Sequence, residues 1–205
     1  DIDFIILSHG HFDHGNGLEH LQSGTLICHP GCFIKRYRKS DNSYIGLKDS
    51  REELEARFNL ITSREPYRIS ESIVFAGEIP RITPFESAKT SFIMEDGTPD
   101  FVADDSALII TVPQGLFVIT GCGHAGIVNT MEHASRISGG KEIYGIMGGF
   151  HLKEDDHQTK ETVNYIKTSK VAHILPSHCT SGAALGRFHA TFDVRTIKTG
   201  DILSF

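Results

Sequence analysis

No apolar run in this chain reaches the roughly 18 residues that a membrane span needs. No leader of the secretory or transit type opens it. The expected location is therefore the cytoplasm, without a membrane partner. The chain opens directly in an apolar segment without an initiator Met, which leaves room for an upstream segment. It also lacks a positive excess. Twenty Lys and Arg stand against 26 Asp and Glu, a net charge of −6, which counts against a nucleic-acid partner. There is no Ser nucleophile elbow and no phosphate-cradling Gly–Lys loop, so neither a covalent Ser intermediate nor a P-loop is expected. Internal repeats, low-complexity tracts and linker-like shifts in composition are missing too. At 205 residues the expectation is one domain over 1–205. Cysteine is scarce, with four residues. In a reducing compartment they are expected to stay unpaired. Cys28-His29-Pro30-Gly31-Cys32 is read as a strand end stopped by Pro-Gly in preference to a metal knuckle.

Histidine is what the chain has in plenty, 12 residues. His9-Gly10-His11-Phe12-Asp13-His14 packs three imidazoles and a carboxylate directly behind the apolar run Ile2–Leu7. In extended backbone His9 and His11 project from one face, and Asp13 and His14 come round the following turn. Imidazole and carboxylate are ligands for Zn²⁺, Mn²⁺ or Fe²⁺.

The rest of the chain alternates strands and helices, which argues layered α/β structure. Asp1–Ser8 is expected as a fully buried strand, Gly17–Gln22 as a short helix and Thr25–Cys28 as a second strand. Gly31–Asp49 is basic and aromatic and is read as a loop or lid; Lys35, Arg36 and Arg38 are candidate anion contacts. Ser50–Phe58 is a helix with a capping box. Asn59–Thr62 and Ser72–Ala76 are strands, and Gly77–Arg81 an edge strand and turn. Ser87–Val102 is a connection expected to fold over a cleft. Ala107–Val112 and Leu116–Thr120 form a hairpin. Ile127–Arg136, Thr159–Thr168 and Ala183–Phe188 are helices; Glu142–Met147, Val171–Leu175, Asp193–Ile197 and Asp201–Phe205 are strands. His9/His11, His124, His151 and His178 all stand just past strand ends, most of them in glycine-containing turns. Catalytic groups favour that end of parallel strands.

The His-x-His-x-Asp-His stretch resembles the signature of the metallo-β-lactamase superfamily. Five further segments resemble one branch of it: Gly77–Arg81 with Phe85-Glu86, Asp104-Asp105, Gly121–Thr130, Gly148–Leu152 and Pro176–Thr180. That branch is labelled 7,8-dihydropterin-6-yl-methyl-4-(β-D-ribofuranosyl)aminobenzene-5′-phosphate synthase and related metal-dependent hydrolases. The resemblance implies an αββα sandwich, here short of its N-terminal strands and so with an exposed sheet edge. It implies a first metal position of His9, His11 and His124 and a second of Asp13, His14 and His178. An Asp that usually bridges two metals is missing near Gly148-Gly149. His151 is the nearest ligand-type residue, expected to bind metal or substrate. Asp13 and His178 are the expected catalytic residues, and Arg81, Glu78 and His151 the expected substrate contacts. One or two zinc ions are expected, with manganese or iron as alternatives.

The implied chemistry is hydrolysis of a phosphorylated or anionic small molecule by metal-bound hydroxide. The alternatives are a dihydropterin-linked transferase releasing pyrophosphate, with Phe85, Phe92 or Tyr37 stacking the pterin, and a non-catalytic metal-dependent binding protein. The residues leave substrate, metal count and oligomeric state open.

Overall fold

The computed structural model describes residues 2–204; the predicted strand ends at Asp1 and Phe205 lie outside the described residues. In chain order, β1 (Phe4–Ile6) leads through a one-turn helix, α1 (Phe12–Gly15), and a 3-10 turn (Asn16–His20) to β2 (Thr25–Cys28). β3 (Arg36–Arg38), α2 (Arg51–Arg57), β4 (Asn59–Thr62), β5 (Tyr67–Arg68), β6 (Ile73–Phe75), β7 (Phe92–Met94) and β8 (Pro99–Asp100) follow. The second half runs β9 (Ala107–Val112), β10 (Gly115–Thr120), α3 (Ile127–Ile137), β11 (Ile143–Gly149), α4 (His157–Thr168), β12 (His173–Ser177) and α5 (Gly182–His189).

Two helix-backed sheets realise the expected α/β layering. The first is parallel, in the order β1-β2-β4. Its core joins Leu7, Leu18 and Leu26 to Leu54 of α2 and to Phe58. The second has six strands in the order β12-β11-β10-β9-β6-β5. β10, β11 and β12 run parallel, and the β9–β10 hairpin is antiparallel. Ile109, Leu116, Val118 and Ile146 pack there with Ile127 and Met131 of α3, Val163 and Ile166 of α4, and Phe188 of α5. A third, small antiparallel sheet, β3-β7-β8, has no counterpart in the expectation. It is built from the two stretches read as a lid and a connection.

Helix ends show why the sequence stops and starts where it does. At α2, Glu53 N donates to Ser50 Oγ (3.2 Å) while Ser50 N donates to Glu53 Oε2 (2.7 Å), the predicted capping box. At α3 the cap comes from outside. Val128 N and Asn129 N donate to the two carboxylate oxygens of buried Glu86 (2.9 and 2.8 Å), and Thr83 Oγ1 donates to Oε2 (3.0 Å). Gly126 holds φ 100° there, and a Cβ on it would meet Glu86 Cδ at 2.4 Å. A buried anion completing a helix N-terminus satisfies orphan N–H groups and complements the dipole. Glu86→Ala is therefore expected to cost on the order of 3 kcal/mol in urea unfolding. A loss below about 1 kcal/mol would show that the cap is dispensable.

Five expectations need correction. β1 is an edge strand paired to β2 alone, and Phe4 is 49% exposed, so this run is not fully buried. An apolar run does not say which of its sides is covered. The helix after it begins at Phe12, inside the His motif, because the His11 carbonyl accepts from His14 N and Gly15 N (3.0 and 3.1 Å). Gly77–Arg81 is irregular, and so are Asp193–Ile197 and residues 201–204. All four cysteines are free, as expected, with Cys28 and Cys32 in the core of the three-stranded sheet. No helix among the described residues is long and apolar enough to cross a membrane.

Candidate metal centre

Four strands deliver the site from their carboxyl ends. β1 runs into His9 and His11, with Asp13 and His14 on α1; β10 runs into Cys122 and His124; β11 into His151; β12 into His178 and Cys179. Gly10 permits the first turn, since a Cβ there would stand 2.0 Å from the Cys32 carbonyl oxygen. His151 and His178 hold left-handed backbone conformations, φ 46° and 50°. Such strain in a non-glycine residue concentrates at functional positions.

His9, His11 and His124 place one ligand atom each within 4.8 Å of one another. His9 Nε2 lies 3.0 Å from His11 Nδ1, and the His124 ring centre is 4.9 Å from each of the other two. Burial pushes all three imidazoles well toward the neutral form, His11 down to about 3, and neighbouring His and Arg charges add to the effect. Neutral imidazole is the form that ligates metal. His11 Nε2 and His124 Nε2 are buried with no hydrogen-bond partner among the described residues. Buried nitrogens without a partner are costly, and with one ligand atom of each of the three residues within 4.8 Å of the others the donor set fits a divalent metal.

Asp13, His14 and His178 form a second, more open group, again within 4.8 Å. His14 Nε2 lies 3.0 Å from His178 Nε2, and Asp13 Oδ2 3.4 Å from His178 Nε2. Burial lowers the His14 pKa even beside Asp13. The six residues that the resemblance implies as ligands thus stand in two groups, His9, His11 and His124 and Asp13, His14 and His178. His151 stands beside them, its ring centre 4.1 Å from that of His124, with Nδ1 unpartnered among the described residues.

A cavity of about 550 Å³ opens over both groups, lined by His11, Asp13, His124, His151 and His178 and rimmed by Arg38 and Lys153. Phe92 of β7 covers the first group, 4.8 Å from the His11 ring and 5.6 Å from that of His124. Of the three aromatic residues considered for stacking, Phe92 alone lines this cavity. Phe85 lines a groove beside α3 and α4, and Tyr37 packs on Tyr44.

Around the ligands lies a buried frame. Ser8 Oγ is 3.0 Å from His9 Nδ1, and Asp105 Oδ1 is 4.0 Å from the same nitrogen. Asp105 Oδ2 accepts from Ala125 N (2.8 Å), and burial pushes its carboxyl up to about 7. Gly10 N donates to Asp104 Oδ2 (2.7 Å), whose other oxygen accepts from Arg36 Nη2 (2.8 Å).

Several predicted contacts lie elsewhere. Arg36 is wholly buried in that frame and is not a free anion contact. Lys35 pairs with Glu95 at the surface. Arg81 Nη2 donates to the Phe101 and Val102 carbonyls, and Glu78 holds His29 (3.1 Å) and Arg64, so neither reaches the cavity. Sequence reasoning missed Cys122 and Cys179 as parts of the site and named Lys153 nowhere. For the cysteines the available signal was their place beside His124 and His178; for Lys153 it was its place two residues after His151.

Helix-backed sheets with imidazoles and a carboxylate gathered at the strand ends define a protein of the metallo-β-lactamase type. No family model matches the chain. An uncharacterized protein of Methanocaldococcus jannaschii is 38% identical over 192 residues, 89% of this chain and 71% of that protein. The 7,8-dihydropterin-6-methyl-4-(β-D-ribofuranosyl)-aminobenzene-5′-phosphate synthase of the same organism is 32% identical over all of this chain and 76% of its own length. The crystal structure of Tm1679, a metal-dependent hydrolase of the β-lactamase superfamily, matches with a TM-score of 0.84 at 26% identity, covering 98% of this chain and 78% of that one. The chain belongs to the metallo-β-lactamase superfamily, in the branch that holds the dihydropterin-linked synthase.

Proposed function

We propose that this protein is a metal-dependent hydrolase of a phosphorylated or otherwise anionic small molecule, with zinc as its metal and manganese or iron as alternatives. The observation that carries this reading is the pair of ligand groups on the floor of one cavity whose rim is cationic. His9, His11 and His124 would hold the first ion, and Asp13, His14 and His178 the second. When bound, a divalent ion lowers the pKa of a coordinated water toward about 7 and offsets charge on a leaving phosphate. The chain's residues supply the rest. Arg38 and Lys153 bind the substrate's anion, Phe92 excludes water from the first group, and His151 orients the substrate. Asp13 Oδ2 either ligates or takes the nucleophile's proton.

Turnover of simple phosphate mono- and diesters by zinc- or manganese-loaded protein, abolished by a chelator and restored by the metal, is the expected result. Asp13→Asn separates its two roles. Kept metal with lost turnover identifies the proton acceptor; one metal equivalent lost identifies a ligand. His151→Ala is expected to keep the full metal content and to lower kcat/KM by roughly 10–100-fold, a loss of about 1.4–2.7 kcal/mol in transition-state binding. Loss of metal instead would make His151 a ligand.

A second reading is a transferase, favoured by the identity to the synthase and by Phe92 as a stacking platform. Pyrophosphate release from a dihydropterin pyrophosphate that requires an aminobenzene ribosyl phosphate acceptor and joins the pterin methylene to it, without ester hydrolysis, would establish it. Tight metal binding without turnover in either assay would leave a metal-dependent binding protein.

A further inference from the structure

Cys122 stands out among the ligand-type side chains because it reaches both metal positions. Its Sγ lies within 4.8 Å of ligand atoms of His9 and His124 in the first group and of His14 and His178 in the second. His14 Nε2 is 3.2 Å away. His9 and His14 also meet across the two groups, but Cys122 groups with two residues of each, whereas His11 groups only with His9 and His124, and Asp13 only with His14 and His178. The residue is buried, yet it lines the 550 Å³ cavity. It stands in the glycine turn after β10, two residues before His124. Cys179 lies behind it, with Sγ donating to the Cys122 carbonyl (3.3 Å).

We propose that Cys122 is a thiolate metal ligand placed between the two positions and shared by them. The inference rests on the metal-centre reading above and adds to it the residue that couples the two ions. Ligation breaks the S–H bond and forms a sulfur–metal bond; the proton leaves to solvent and no electron changes hands. A soft thiolate in a set of imidazoles favours zinc over manganese or magnesium.

Cys28 and Cys32 sit in the core of the other sheet, outside every ligand group, so sulfur ligation reports on Cys122 and Cys179 alone. The test is zinc-edge X-ray absorption on the zinc-loaded full chain, with cobalt-loaded samples of the parent, Cys122→Ser and Cys179→Ser beside it. The expected result is a sulfur scatterer at about 2.3 Å in the parent and a thiolate-to-cobalt charge-transfer band that Cys179→Ser keeps and Cys122→Ser loses. Removing outer-shell partners already weakens metal by roughly 10–100-fold, so Cys122→Ser is expected to weaken the second ion by more than about 100-fold. A shell of nitrogen and oxygen alone in metal-loaded parent would overturn the inference and leave the metal centre standing. So would a band lost in Cys179→Ser and kept in Cys122→Ser. A parent that takes up no metal would overturn the metal-centre reading itself. The absorption measurement needs no variant, so a Cys122→Ser protein that fails to fold does not spoil the test.

Discussion

His124→Ala is expected to remove one metal equivalent and to lower turnover by roughly 1,000-fold or more. Metal ions supply several kcal/mol of charge stabilisation in hydrolysis, and each 1.36 kcal/mol is tenfold in rate. His124 is the member of the first group that arrives from the other half of the chain, 110 residues after His14 of the second group. Without it His9 and His11 offer two neighbouring ligands and no third to close the position. The stability effect should grow when metal is present. In metal-free protein the imidazole's Nε2 is buried without a partner, a state that costs about 1–3 kcal/mol. Deleting it offsets part of the cavity that alanine leaves, so the metal-free variant should unfold within about 1 kcal/mol of the parent. In zinc the parent gains stability by mass action, about 2.7 kcal/mol at a hundredfold excess over Kd, and the variant loses that gain. Metal content by mass spectrometry and unfolding with and without zinc measure both halves. Equal metal and equal turnover in His124→Ala would remove this residue from the site.

The residues gathered at the candidate site could be read in the sequence because each part is local. The His motif follows a strand, and His124, His151 and His178 each follow another, so a shared sheet edge brings them together. What could not be read was the sense of side chains on very short strands. β3 is too short to show an alternation: Arg36 is buried, while Arg38, two residues on and so on the same face, is exposed and pairs with Asp41. A run of Lys35, Arg36, Tyr37 and Arg38 nevertheless has the composition of a solvated basic flap. β7 and β8 are three and two residues long. The pairing of β7 with β3 joins segments more than 50 residues apart, which no local period reveals. Glu78 and Arg81 show the complementary error. Their segment resembles the branch, but in this chain it builds a clamp on His29 and on the 101–102 backbone. Cys122 reads as a mere neighbour of His124 until the fold turns its sulfur toward His14.

Arg36→Ala is expected to produce the largest loss of stability of any single substitution considered, about 3–5 kcal/mol, the usual result of breaking a buried ion pair from one side. Arg36 is 0% exposed, Asp104 1% and Asp100 4%. Its Nη2 donates to Asp104 Oδ1 (2.8 Å) and to the Gly31 carbonyl (3.0 Å), and its Nε lies 3.3 Å from Asp100 Oδ2. Alanine would leave two carboxylates in the interior with no cation between them. Lysine brings a charge but a single ammonium, without the planar fork that holds the Asp104 carboxylate and the Gly31 carbonyl while facing Asp100, so Arg36→Lys should fall between the parent and alanine. The chain has no Trp, so urea unfolding is best followed by far-ultraviolet circular dichroism. The same frame reaches the metal centre. Asp104 is the carboxylate that holds Gly10 N at 2.7 Å, midway between His9 and His11, and a loosened Gly10 frees both imidazoles from their common aim. Arg36→Ala should thus weaken zinc as well, although the guanidinium touches no ligand. A double-mutant cycle with Asp104→Asn should return a coupling of about 0.5–3 kcal/mol. Stability within about 1 kcal/mol of the parent, or no coupling in the cycle, would show that the His9–His11 turn is held by its backbone packing on Cys32 and not by the buried ion network.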